Sequence, residues 1–351
     1  MTDLFWQSED ERTQPTAKSP EESTEKSLSF SFTQHGGRAG TPIRGDASSR
    51  AAGKVIMTGE HAVVYGARAI AIPLLSRSMN LRIYTDRITT SNPRIKFQIG
   101  GKPVQEPLLE MIHEAFDVLA IPKFNISIDG HSTLMLGAGV GSSASLCVSV
   151  LRGLSQVCGI SLTPARLADL ANKLERRFHG NPSGLDTSVV SLEQAILFER
   201  GRDAEAITVN KPKGSNLPWC FALLDTAVRS PTIHMVRKAE PWFKAEGPAI
   251  IERFNDITSD AARALRDGDT SLMATAMSSG NELLARAGVV TEPVTKMIDK
   301  ALASGALAAK VTGAGGGGCV LALFAASKCD HSIARLRADV GSDRILPIFI
   351  P

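Results

Sequence analysis

The chain has 351 residues, 43% of them apolar, with a formal net charge of +3, which bounds it as one or two globular domains with a sizeable core. So small a net charge gives no basis for binding nucleic acid or an anionic membrane, and no apolar run approaches the roughly 18 residues a membrane span requires. The five cysteines, Cys147, Cys158, Cys220, Cys319 and Cys329, show no CxxC or Cys/His grouping. They are therefore expected to be reduced, mostly buried thiols of a cytoplasmic protein, neither zinc ligands nor disulfides.

Residues 1–50 are dominated by Ser, Thr, Glu, Lys, Pro and Gly. Such a composition cannot offset the entropy of ordering, so a disordered polar tail is expected. The acidic residues Asp3 and Glu9-Asp10-Glu11 argue against a secretory signal or transit peptide. Order is expected to begin near Ala52, with a strand over 54–58 and β-rich segments over 63–65, 69–75 and 81–85, broken by Gly66 and Asn92-Pro93. Leu108, Leu109, Ile112, Ala115 and Phe116 recur at helical spacing and predict a helix over 106–119, followed by a strand over 124–128.

Next comes Leu136-Gly137-Ala138-Gly139-Val140-Gly141-Ser142-Ser143-Ala144-Ser145, a glycine-rich loop running into a helix that extends to about Leu154. Alternate glycines let the backbone adopt φ > 0 and point successive N–H groups at an anion, and the helix start adds its positive end. Ser142 and Ser143 offer a helix cap and a metal-seeking hydroxyl. The pattern lacks the Gly-Lys-Ser/Thr of a Walker A loop and the acidic residue about 20 positions later of a dinucleotide fold. A glycine turn ahead of a buried helix is the plainer alternative.

A helix opened by Pro164 leads to Glu175-Arg176-Arg177-Phe178-His179-Gly180-Asn181-Pro182-Ser183-Gly184-Leu185-Asp186, a tight loop with an acid at either end. Two such carboxylates suit magnesium-dependent phosphoryl transfer. An ordinary helix end followed by an exposed Asp186 fits the same residues. A buried strand over 219–224, helices over 231–243, 249–265, 272–287 and 292–304, and strands over 310–312 and 319–324 follow. A helix over 333–339 and a strand over 345–350 complete an α+β pattern that divides near residue 215. Between two of those strands, Thr312-Gly313-Ala314-Gly315-Gly316-Gly317-Gly318 costs backbone entropy with no packing return. It calls for the close approach of a backbone or a ligand, or else it is a hinge.

Taken together, Lys54-Val55-Ile56-Met57-Thr58-Gly59-Glu60-His61, the 137–144 loop and Lys310-Val311-Thr312 with its glycines resemble the three motifs of the GHMP kinases. The stretch 179–186, preceded by Glu175, resembles the branch that phosphorylates mevalonate. The resemblance runs from about residue 52 to the C-terminus. It implies a two-domain fold: an ATP-binding N-terminal domain over 51–215 with a left-handed βαβ crossover, and a ferredoxin-like C-terminal domain over 216–351.

By matched position, Asp186 would accept the proton of the C5 hydroxyl of mevalonate, with Lys54 beside it balancing phosphoryl charge. Ser143 and Glu175 would hold Mg²⁺. Ser132, Gly137, Ala138, Gly139, Val140, Gly141, Ser142 and Ser143 would contact ATP together with Lys54. The resemblance leaves a homodimer open. Ala52, Met135 and Leu136 stand where the family usually has prolines, and Gly280-Asn281 replaces an Asn-Gln pair on the acceptor side. Arg229 lies in a segment that resembles the family's substrate-domain stretch, where a plain surface charge is the alternative. Other readings are a phosphomevalonate or galactose kinase, a diphosphomevalonate decarboxylase, or an inactive ATP-binding regulator. The sugar-kinase motif after Glu60-His61 is absent, and Lys54, Ser143, Glu175 and Asp186 are all retained.

Overall fold

The computed structural model describes residues 45–350. The expected tail therefore lies almost wholly outside the described residues. Its inner boundary moves, because strand β1 (Asp46–Thr58) starts before Ala52. Residues 46–50 find a partner in Asn80 to Tyr84 of the long neighbouring strand β2 (Ala69–Thr89).

That 21-residue strand organises the first sheet. Its first half, Ala69 to Leu74, is apolar and covered on both sides. Its second half alternates, with Leu81 and Ile83 inward and Arg82 and Tyr84 outward, as a one-sided strand must. Strands β3 (Ile95–Ile99) and β4 (Lys102–Pro103) follow, then α1 (Glu106–Leu119) and β5 (Phe124–Ser132). β3 runs parallel to β5 with α1 as the crossover, while β2 is antiparallel to β1, β5 and β6. Helices α2 (Ser142–Val157), α3 (Pro164–His179) and α4 (Leu185–Leu192) pack behind it, and β6 (Ile196–Phe198) and β7 (Glu205–Ala206) close the sheet. The order is β4-β3-β5-β2-β6-β7, with β1 also on β2.

The second half runs β8 (Trp219–Asp225), α5 (Thr232–Glu246), α6 (Pro248–Asp267), α7 (Thr270–Arg286), α8 (Glu292–Ala303) and β9 (Ala306–Thr312). It continues through β10 (Cys319–Phe324), α9 (Cys329–Val340) and β11 (Ile345–Ile350). Its antiparallel sheet has the order β11-β8-β10-β9, the arrangement of a ferredoxin-like βαββαβ unit enlarged by extra helices. β8 is apolar at every position from Trp219 to Leu224 because both of its faces are covered. Trp219, Phe221 and Leu223 join the core that also holds β1, β2 and α2, whereas Cys220, Ala222 and Leu224 face α5, α8 and α9.

Two further expectations are corrected. Residues 62–65 form a 3₁₀ turn rather than a strand, entered through His61 at φ +59° and left through Gly66 at φ +96°. The valines there satisfy β propensity, but the backbone has to turn between β1 and β2. Cys220 and Cys329 are not free thiols but form a disulfide with Cα atoms 6.1 Å apart. One face of β8 meets the first turn of α9, a neighbourhood that a separation of 109 residues gives no hint of. Cys147, Cys158 and Cys319 are free and buried, as expected.

Candidate active site

All three glycine-bearing segments converge. The loop between β5 and α2 places Gly137, Gly139 and Gly141 at φ of +68°, +81° and +76°. The Lys54 N–H donates to Val140 O at 2.9 Å, tying β1 to this loop. A Cβ on Gly141 would stand 2.7 Å from Cγ of Lys54, so only glycine lets the lysine stem pass. The 312–318 run packs on the same loop from the other side. A Cβ on Gly313 would meet the Gly139 backbone at 3.2 Å, and one on Gly318 would meet Ala138 O at 3.0 Å. Of the alternatives the run left open, the close approach of another backbone is the one realised. Thr312 fastens it to β1, its hydroxyl donating to Ile56 O at 2.9 Å and receiving the Ile56 N–H at 3.2 Å.

α2 begins without a side-chain cap. Gly141 is its N-cap, and neither serine caps it, which corrects the capping expected of Ser142. The N–H groups and positive end of the helix are thus offered to the loop, the usual setting for a phosphate. Ser132 ends β5, and its hydroxyl receives the Leu134 N–H at 3.2 Å, so it shapes the entrance to the loop.

Four side chains gather at this place. Lys54 is 3% exposed, far from the solvated strand-end lysine its position allowed, and its Nζ lies 3.1 Å from Asp186 Oδ2. Asp186 stands in the first turn of α4 after Gly184 and keeps 30% of its side chain open. Glu175, one turn before the end of α3, is equally buried at 3% and receives the Ser143 hydroxyl at 2.6 Å. Burial pushes the Glu175 carboxyl above its ordinary range. His179, the Ser143 hydroxyl and Lys54 pull it back, while the Asp186 charge adds to the push. One hydroxyl and one buried carboxylate are hard oxygen donors that suit Mg²⁺, which commonly takes one or two protein ligands and completes its shell with phosphates and water.

Three participants received no role from sequence. His179 reaches Ser143 Oγ at 3.0 Å. Glu60 and Lys310 form an ion pair that is almost completely buried, and Lys310 Nζ also donates to Val311 O at 2.6 Å. A lysine inside Ala308-Ala309-Lys310-Val311 was the available signal, since a charge amid a buried strand demands a partner. Arg229 is not a plain surface charge. It grips Asp225 through both terminal nitrogens, at 2.6 and 2.7 Å, and its Nε donates to Leu136 O at 3.1 Å, joining the second half to the loop between β5 and α2. Asn281 receives the Val311 N–H at 3.1 Å and so supports β9.

The family profile described as "GHMP kinases N terminal domain" matches residues 106–194, and "GHMP kinases C terminal" matches residues 261–337. The mevalonate kinase of Thermococcus sibiricus is 28% identical over 304 residues, covering 77% of this chain and 86% of the relative. That of Pyrococcus furiosus is 29% identical over 296 residues with the same coverage. Among solved structures, L. major mevalonate kinase in complex with R-mevalonate superposes with a TM-score of 0.72 at 22% identity, covering 88% of this chain and 98% of its own. Streptococcus pneumoniae phosphomevalonate kinase reaches 0.71 at 19% identity, covering 87% and 100%. These structural likenesses establish the fold and do not separate one acceptor from another. Both domain profiles match in their order along the chain, and the relatives span most of its length: the chain carries the N- and C-terminal domains of the GHMP kinases.

Proposed function

We propose that the protein transfers the γ-phosphoryl group of ATP to the C5 hydroxyl of mevalonate, giving 5-phosphomevalonate. The observation that carries this reading is the Lys54–Asp186 pair, a buried cation holding a partly open carboxylate beside an uncapped helix start. The curated relatives named mevalonate kinase support the choice of acceptor, as does the stretch from His179 to Asp186.

Lys54 engages Oδ2 of Asp186 and fixes the carboxylate, leaving its other oxygen to take the proton of the acceptor hydroxyl. The same ammonium, immobilised by its buried stem, balances charge that grows on the phosphoryl group during transfer. The N–H groups around Gly139 and Gly141 and the start of α2 bind the phosphates, and Ser143 and Glu175 would hold Mg²⁺, which when bound would offset phosphate charge. Transfer of this kind depends on placement and charge neutralisation more than on covalent work by the protein. In this reading residues 51–215 carry the nucleotide and 216–351 complete the site. Among the described residues no helix is long and apolar enough to cross a membrane.

The test is a coupled ADP-release assay of the purified chain with mevalonate, phosphomevalonate, homoserine and galactose. Turnover with mevalonate at least tenfold above the others is expected, and a preference for any of the other three overturns the acceptor assignment.

A further inference from the structure

The hydrogen bonds around Ser143 can be resolved by counting protons. Its hydroxyl carries one proton, and that proton goes to Glu175 Oε1 at 2.6 Å. An ionised carboxylate can only accept. His179 Nε2 also lies 3.0 Å from the same oxygen and 3.8 Å from Glu175 Oε1. With its proton directed to Glu175, Ser143 accepts from the ring in the tautomer that carries its hydrogen on Nε2. Ser143 Oγ then donates once, accepts once and retains one lone pair. His179 is the last residue of α3, one turn after Glu175, and Gly180 at φ +67° ends the helix immediately behind it. Asn181 is anchored by Arg200 at 2.6 Å.

We propose that His179 is a positioning residue for the metal-holding pair, its Nε2–H locking the Ser143 hydroxyl toward Glu175 so that the remaining lone pair is presented to a divalent cation. The inference rests on reading Ser143 and Glu175 as that pair. A free serine hydroxyl has three staggered orientations, and the imidazole selects one before any cation arrives. Groups that orient a ligand in this way typically change metal affinity by about 10–100-fold when removed.

The experiment is titration of the full chain with Mn²⁺ in the presence of a non-hydrolysable ATP analogue, following the free-ion signal by electron paramagnetic resonance. His179→Ala should bind Mn²⁺ about 10–100-fold more weakly, with mevalonate affinity unchanged. His179→Gln, whose amide nitrogen reaches about as far as Nε2, should recover most of the loss, and His179→Asn, whose donor is too short, should not. Wild-type Mn²⁺ affinity in His179→Ala, while Ser143→Ala and Glu175→Gln lose theirs, overturns the proposal and leaves the metal-holding pair standing. Wild-type affinity in all three variants overturns both. If the alanine variant does not fold, the Gln and Asn variants carry the test, and equal affinities in those two overturn the proposal.

Discussion

Two lysine–carboxylate pairs lie within a few residues of the same glycine segments, and they are built differently. Lys310 and Glu60 are 0% and 1% exposed, joining β9 to the turn after β1, and Oε2 of Glu60 has no hydrogen-bond partner among the described residues. Burial pushes the Glu60 carboxyl up and the Lys310 ammonium down, and the attraction between them opposes both shifts. Lys54 is nearly as buried, yet its partner Asp186 is 30% open. A sealed pair can only hold segments together, whereas a pair with one open end has an oxygen to offer a substrate. Exposure of the acid, more than the chemistry of the two residues, separates scaffold from reagent.

The strongest way to break this contrast is to neutralise the open acid. Asp186→Asn should fold normally and bind nucleotide, but lose about 10²–10⁴-fold in kcat, the range for removal of a general base. Converting both partners, as Lys54→Met with Asp186→Leu, should restore nothing. More than a tenth of wild-type turnover in Asp186→Asn would remove the proposed base.

The sealed pair should respond in the opposite way. Lys310→Met leaves a buried, uncompensated carboxylate and should cost about 3–5 kcal/mol of stability, read by urea denaturation. Adding Glu60→Leu should return most of that loss, because well-packed apolar replacements of buried pairs are often neutral or better. A double variant no more stable than Lys310→Met would show that the pair does more than fasten.

A third variant perturbs one pair only. Gly141→Val places a Cβ against the Lys54 stem, 2.7 Å from its Cγ, at a φ of +76° that valine avoids. Turnover should fall by about 10²-fold, the scale of a 1 Å misplacement, with a higher KM for ATP and the fold intact by circular dichroism. Unchanged ATP binding would mean that the loop does not carry the phosphates.

The smallest effect tests the surface end of the series. Asp225 faces an opposing burial cost, but the Arg229 hydrogen bonds and the Ala227 N–H outweigh it and hold the carboxyl below its ordinary 3.8. An acid with a depressed folded value contributes stability above the unfolded value and loses it as pH falls through the folded one. Melting temperature should therefore drop below about pH 4 by more in the wild type than in Asp225→Asn, with a difference worth at most about 1 kcal/mol after solvent screening. Parallel acid profiles would show that the clamp adds nothing to stability.

Much of this was legible from residue patterns. The helix Glu106–Leu119 and the strands Cys319–Phe324 and Ile345–Ile350 fall where periodicity and breakers place them. The three glycine segments marked the region where the halves meet. What sequence could not give depends on distant neighbours. β3 (Ile95–Ile99) alternates Ile95, Phe97 and Ile99 with Lys96 and Gln98, but it is short and only its pairing with β5 secures it. β6 is three residues long, too short for any pattern. The burial of Lys54 and Glu175, the partner of Lys310, the grip of Arg229 on Leu136 and the Cys220–Cys329 bridge all join residues far apart in the chain. Local composition can signal, as at Lys310, that a buried charge needs a partner, but it does not name the distant residue that supplies it.

The double-sided strand β8 bears on how the molecule comes apart. Because Trp219, Phe221 and Leu223 sit in the core that also encloses β1, β2 and α2, while Cys220, Ala222 and Leu224 sit in the other, neither half can melt without stripping one face of that strand. The proposed division near residue 215 is therefore not a division of cooperativity. Loss of structure should spread through β8 as a single calorimetric transition, and a fragment cut at that point would leave a large apolar face in water, prone to aggregation.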